Sequence, residues 1–302
     1  MLQLRGAFTA LVTPMRESGD VDYEGFRRLV SFQIEEGIDG LVPLGTTGET
    51  PTLDEDEEEK LIEIVMEEAK GKVPVIIGTG SNSTKHMVLY TERAKKMGAD
   101  AALVVTPYYN KPNDSGLIRH FEAAAAVGIP VVVYNIASRT GRNIPAPLLE
   151  KIARIPGIAG VKEASGDLNQ MGEVIGSIAI PRRETDSPFR VLSGDDVFTL
   201  PLAALGGDGV VSVISNLVPR RVAALTRACL SGNYEEARKL HYELLPLAKA
   251  AFVETNPAPI KAAMNWAGLP AGPARLPLGP ISAASGAVLR KALEELGLKL
   301  KN

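Results

Sequence analysis

Eight short runs of β-branched and apolar residues recur along this chain at a spacing of about 30 residues, each followed by a segment of helical periodicity. The runs are GAFTALV (6–12), DGLVPL (39–44), PVIIG (74–78), AALVV (101–105), PVVVY (130–134), IAGVK (158–162), FRVL (189–192) and GVVSV (209–213). They are continuous rather than alternating, as expected of parallel strands covered on both faces. Eight strand–helix units match a (β/α)8 TIM barrel, an α/β fold, better than an open doubly wound sheet. No G-x-G-x-x-G follows the first run, so a dinucleotide-binding variant has little support.

The helical segments have readable ends. Asp22 is expected to start one whose apolar positions Phe26, Leu29, Val30 and Ile34 share a face, and Gly37 to stop it. Thr52 and Glu55 have the spacing of a capping box ahead of LIEIVMEEA, and the acidic opening DEDEEE suits the positive end of a helix dipole. Further helices are expected at 83–97, 114–127, 146–154, 167–178, 195–205 and 219–230. Past residue 230 the strand signals end, and helices are expected at 233–253, 257–267 and 281–297. The expected organisation is a catalytic barrel over 1–230 and a helical C-terminal extension over 231–302.

A net charge of −3 gives no electrostatic reason to expect nucleic acid or an anionic membrane. No run approaches the ~20 apolar residues a membrane span needs. MLQLRGAFTALVTP reads straight into a strand and lacks a small-residue cleavage pattern, so a cytoplasmic protein is expected. The one cysteine, Cys229, sits in the apolar run VAALTRACL and reads as a buried thiol. The histidines, His86, His120 and His241, all fall in expected helices, which leaves a metal-dependent reaction without a ligand set.

Active sites of such barrels lie at the C-terminal ends of the strands. Those ends here are Gly45-Thr46-Thr47-Gly48-Glu49, Thr106-Pro107-Tyr108-Tyr109-Asn110, Tyr134-Asn135 with Ser138-Arg139-Thr140-Gly141, Lys162-Glu163, and Ser193-Gly194-Asp195-Asp196. Lys162 ends IAGV where a barrel strand would ordinarily place Val, Ile or Leu. Burial there disfavours the charged amine, and a neutral amine is what attack on a ketone requires. Lys162 could equally snorkel to water or pair with Glu163. Tyr134, from the adjacent strand end, offers a hydroxyl to move protons at a forming carbinolamine, and Thr46 and Tyr109 could extend a relay. Arg139 is either a solvated loop charge or a bidentate carboxylate clamp. The turn GTTGE alone is either a tight turn or a nest of backbone N–H groups.

With GTTGE, TPYYNKP, YNIASRTG, GVKEASGD and LSGDD in this order, the chain resembles the dihydrodipicolinate synthase / N-acetylneuraminate lyase family from AFTALVTP (7–14) through FVETNPAPIKAA (252–263). GTTGE together with SRTG favours the synthase branch over the sialic-acid lyases. The resemblance implies a Schiff base between pyruvate and Lys162, an enamine that adds to aspartate 4-semialdehyde, and ring closure to hydroxytetrahydrodipicolinate for lysine biosynthesis, with no metal or organic cofactor. It implies a relay of Thr46, Tyr109 and Tyr134, with Tyr109 acting across a dimer interface. Thr47 would bind the pyruvate carboxylate and Arg139 that of the semialdehyde, while Gly194 and Val211 would line the pocket. It also implies a homotetramer built as a dimer of dimers, with the helical tail serving assembly.

Ala137 stands where the family often has Pro, next to Arg139. Tyr108 and Asn82 match the inhibitor pocket of lysine-sensitive members, and Glu58 is a residue type found there. His86 replaces a carboxylate and Glu55 stands where bacterial members often have His. Losing a charged partner of the inhibitor's ammonium costs roughly 1.5–3 kcal/mol, so weak or absent inhibition by L-lysine is expected. The rival readings are a 2-keto-3-deoxy sugar acid aldolase or N-acetylneuraminate lyase, which would share Lys162 and Tyr134, and a catalytically silent barrel used as a binding module.

Overall fold

The computed structural model describes residues 3–301. Its strands are β1 (Gly6–Ala10), β2 (Gly40–Val42), β3 (Ile76–Gly78), β4 (Ala101–Val105), β5 (Val131–Asn135), β6 (Ile158–Glu163), β7 (Arg190–Ser193) and β8 (Gly209–Ser212). Their order in the sheet is β2-β1-β8-β7-β6-β5-β4-β3, and the fold is a (β/α)8 barrel with C-terminal helices. By packing, the chain divides into two units: residues up to Gly6 with Ile76–Val211, and Ala7–Val75 with the chain from Ser212 onward.

In the first unit β3 to β8 run in parallel, and Gly6 N–H donates to Asp208 O at 2.9 Å. Val104, Val131, Val133, Val161 and Val191 form one buried cluster with the helix residues Leu117, Phe121, Leu149, Ile152, Val174 and Leu202. Burying a side chain of this kind contributes roughly 1.5–3 kcal/mol. That helix layer is why the strands read as unbroken apolar runs.

In the second unit β1 and β2 pair through Phe8–Gly40, Thr9–Leu41 and Ala10–Val42, and Leu41 bridges in parallel to Val75, the residue before β3. A Cβ on Gly40 would stand 2.2 Å from the Phe8 ring, so only glycine fits beside it. Asn216 accepts from Val12 N–H at 3.1 Å and donates to Ala10 O at 2.7 Å, satisfying the end of β1 where ladder partners run out. The helices Tyr234–Ala250, Ala258–Trp266 and Ala283–Glu295 also belong to this unit.

The expected helices are present with three differences. The capping box of Glu55–Ala69 is Asp54 with Glu57, not Thr52 with Glu55, and Asp54 N–H donates to Glu57 Oε2 at 3.0 Å. Thr52 closes a separate 3-10 turn, its hydroxyl donating to Glu49 O at 2.9 Å. The segment expected at 167–178 is an α-helix over Leu168–Val174 that widens into a π turn at Ile175–Ala179. Pro181 follows, and its ring cannot sit against the carbonyl four residues back in a regular helix. The segment expected at 195–205 is a 3-10 turn, Asp196–Phe198, then a helix over Thr199–Ala204, which puts Pro201 in the first turn, where its missing N–H costs least.

His86, His120 and His241 lie in helices as expected. His120 is buried, its Nδ1 is 2.9 Å from the Thr84 hydroxyl, and burial pushes its pKa from 6.5 down to about 4. The unfolded chain therefore takes up this proton first as pH falls, so stability is lost between about pH 6.5 and 4. The gap corresponds to about 3 kcal/mol. Urea titrations across this range should show that slope, and His120→Leu should flatten it.

Candidate active site

The register of β5 and β6 builds the centre of the site. Tyr134 pairs with Lys162 and Asn135 with Glu163. Side chains alternate across a strand, so Tyr134 and Lys162 share one face and Asn135 and Glu163 the other. Lys162 is 6% exposed and Tyr134 5%, and the lysine Nζ lies 4.2 Å from the centroid of the tyrosine ring. Of the alternatives for Lys162, snorkelling to water and an ion pair with Glu163 are both absent from this arrangement. The amine is buried against an aromatic face, and Glu163 accepts from Asn135, Gln170 and Ser165 instead.

Gly194 secures the lysine stem from β7. Its N–H donates to Glu163 O at 2.8 Å. An added Cβ would come within 2.6 Å of Ala164 Cβ and 3.2 Å of Lys162 Cγ, so any larger residue would displace the stem. The next residue, Asp195, has its carboxyl raised above the usual range by burial, with Val197 N–H pulling the other way. Val211 is buried in β8.

Other candidates of this unit lie on its loops. Arg139 is exposed on a short helical turn, Ala137–Thr140, closed by Gly141 N–H donating to Ala137 O at 2.8 Å. Tyr109 is 90% exposed at a left-handed backbone position, φ 71°, and is not gathered with Lys162 and Tyr134. Asn110 Nδ2 donates to Asn82 O at 2.8 Å, which ties the loop bearing Tyr108 to the start of the helix that carries His86. His86 is exposed, with its ring 6.2 Å from that of Tyr90.

Thr46, Thr47 and Glu58 belong to the second unit. Thr46–Gly48 is a 3-10 turn between two left-handed non-glycine residues, Leu44 (φ 55°) and Glu49 (φ 57°). Such backbone costs of order 1–3 kcal/mol per residue and persists only where the surroundings impose it. The surroundings here are specific. Thr13 Oγ1 donates to Gly48 O at 2.7 Å, and Thr50 Oγ1 to Gly45 O at 3.0 Å. Thr47 Oγ1, buried, accepts from Asn256 Nδ2 at 2.9 Å. Glu49 is ion-paired with Lys261 at 2.6 Å, side-chain exposures 0% and 2%, and Lys261 also donates to Thr13 O at 3.0 Å. Burial lowers the Lys261 pKa, opposed by the Glu49 charge. Arg275 N–H donates to the other Glu49 oxygen at 2.7 Å, and the Arg275 guanidinium grips Glu57 at 2.7 and 2.8 Å, holding that carboxyl below the usual range. Glu58 is buried on the helix Glu55–Ala69.

The strand-end residues, Asn135 and Glu163 among them, were legible in the sequence, but not the support these two give behind Lys162 with Gln170, nor that of Asn256, Lys261 and Arg275 around the GTTGE turn. Only Lys261 left a signal, as a lone cation on the apolar face of APIKAAM. Among the described residues there is no group of three or more His, Cys, Asp or Glu side chains placed to hold a metal ion, and no helix long and apolar enough to cross a membrane.

The family model described as the dihydrodipicolinate synthetase family matches residues 3–296. A protein of Protochlamydia amoebophila named 4-hydroxy-tetrahydrodipicolinate synthase is 49% identical over 296 residues, covering 98% of this chain and 97% of that protein. The crystal structure of dihydrodipicolinate synthase from Aquifex aeolicus superposes with a TM-score of 0.93 at 43% identity, covering 99% of this chain and 100% of that one. The lysine-bound enzyme of Cyanidioschyzon merolae gives 0.92 at 41% identity, with 99% and 100% covered. On the strength of a match that spans both the lysine strand and the GTTGE turn, the chain belongs to the dihydrodipicolinate synthetase family.

Proposed function

We propose that this protein is a class I aldolase, a 4-hydroxy-tetrahydrodipicolinate synthase, that joins pyruvate to L-aspartate 4-semialdehyde. The observation that carries this reading is the buried, register-matched pair of Lys162 and Tyr134. The Lys162 amine adds to the pyruvate ketone, and the carbinolamine loses water to give an iminium. Loss of a methyl proton gives an enamine whose carbon attacks the aldehyde. The amino group of the new chain then displaces Lys162 from the imine carbon and closes the ring, so one water leaves for each pair of substrates. The electron sink is the imine itself, and no metal or organic cofactor takes part.

The roles follow the family pattern. Tyr134 and Thr46 pass protons at the carbinolamine, with Tyr109 contributed by a second copy, a role consistent with its exposure on this one. Thr47 holds the pyruvate carboxylate and Arg139 that of the semialdehyde, while Gly194 and the Val211 backbone line the pocket. The catalytic domain is 1–230, with 231–302 as its helical extension, in a cytoplasmic homotetramer. The same pattern assigns Asn82, Tyr108, Glu58 and His86 to lysine recognition, weakened by the histidine.

Borohydride reduction in the presence of pyruvate tests the central step: the peptide containing Lys162 should gain the mass of a reduced pyruvyl group, and a native mass there ends the aldolase reading. Turnover of aspartate semialdehyde against glyceraldehyde, each with pyruvate, then separates this activity from that of a sugar-acid aldolase. L-lysine should inhibit weakly or not at all in steady-state assays; a submicromolar inhibition constant would contradict the assignment of His86.

A further inference from the structure

Behind the Lys162–Tyr134 pair, on the opposite face of the same two strands, Asn135 and Glu163 stand side by side, both fully buried. The partners of Glu163 are neutral donors. Asn135 Nδ2 reaches its two oxygens at 3.3 and 3.1 Å, Ser165 N–H donates at 2.7 Å and Gln170 Nε2 at 3.4 Å. A carboxylate only accepts, so Glu163 sets the polarity of everything attached to it. Asn135 must turn its amide nitrogen toward Glu163, which leaves Asn135 Oδ1 to accept from Ile144 N–H at 3.0 Å. Asn135 Nδ2 also donates to Asn143 Oδ1 at 2.9 Å, Asn143 Nδ2 to Gln170 Oε1 at 2.7 Å, and Gln170 Nε2 to Ile144 O at 3.3 Å. Asn143 and Ile144 end the loop that leaves β5 and carries Arg139. The chain therefore joins the strand residues next to Lys162 and Tyr134 to the far anchor of the Arg139 loop.

We propose that Glu163 is a positioning residue: as the acceptor-only root of this buried amide network, it fixes where the Arg139 loop sits and thereby selects an aldehyde that bears a carboxylate. This rests on reading Lys162 as the nucleophile and Arg139 as the carboxylate clamp. Glu163→Gln keeps the shape but puts a donor among donors, and flipping Asn135 to suit it would strand Ile144 N–H.

The test compares the two substrates in the intact protein. In Glu163→Gln, pyruvate should still be trapped by borohydride with a half-saturation within about twofold of the parent, because the front face is unchanged. KM for aspartate semialdehyde should rise about tenfold or more, the scale expected when a binding arm is displaced by a fraction of an ångström to 1 Å. In an Arg139→Ala background Glu163→Gln should add nothing. Gln170→Met cuts the same network at its outer end and should shift semialdehyde KM in the same direction, which keeps the test open if Glu163→Gln does not fold. Unchanged semialdehyde KM in both variants, a parallel rise in the half-saturation for pyruvate, or an undiminished effect without Arg139 would each overturn the proposal. Failure of the parent protein to trap pyruvate would instead count against the aldolase reading.

Discussion

Lys162→Met should abolish borohydride trapping of pyruvate and lower kcat/KM by about 10⁴ or more, as expected when a covalent nucleophile is removed. Methionine has nearly the length of lysine and no charge, so it can occupy the buried groove over the Tyr134 ring without unfolding β6. The melting temperature should stay within a few degrees of the parent. Lys162→Arg sharpens the result. It keeps a long nitrogen-bearing side chain over the aromatic face, but a guanidinium does not lose its proton and cannot attack a ketone. Both variants should be equally inactive if the amine acts as nucleophile. If Lys162→Arg keeps substantial activity, the side chain serves only as a charge and the covalent route is wrong. Tyr134→Phe should fall between, losing about 10²–10⁴ in rate, because the ring that packs against Lys162 remains while the proton shuttle is gone.

The largest stability effect is expected far from that lysine in sequence, at Lys261. Lys261→Met would leave the Glu49 carboxylate fully buried with Arg275 N–H as its remaining donor. Breaking a buried pair from one side costs about 3–5 kcal/mol, because the abandoned charge has no water to return to. In a chain of this size that corresponds to a fall in melting temperature of order 10 °C. The double variant Lys261→Met with Glu49→Gln removes the charge as well and should recover a large part of the loss. Calorimetry on the three proteins decides the matter. A single variant within 1 kcal/mol of the parent would mean that the pair contributes little, and that the left-handed backbone at Leu44 and Glu49 is held by the remaining hydrogen bonds alone.

The contrast between these two lysines shows where sequence reading works and where it stops. Lys162 was visible because it ends a continuous apolar run where a barrel strand would ordinarily place Val, Ile or Leu. Lys261 was visible only as an oddity on a helix, since its partner lies 212 residues away in sequence. The capping box shows the same limit at short range. Thr52–Glu55 and Asp54–Glu57 both have the required spacing, and the 3-10 turn through Thr52, tied to Glu49, decides between them.

The amino-acid order alone determined the alternation of strand and helix, the class of barrel, and the strand-end residues worth testing, because those depend on continuous apolar runs of strand length, on the 3.6 period of helices, and on polar groups standing where apolar ones belong. AALVV at 101–105 became β4 to the residue for that reason. What folding in three dimensions decided was which neutral or charged group stands behind each of those residues. Asn256 reaches Thr47 across 209 positions, and Glu163 sets the amide orientations that end at Ile144. Local patterns carry no information about such partners, since a buried donor or acceptor is satisfied by whichever group packing brings within 3 Å or so, not by its neighbour along the chain.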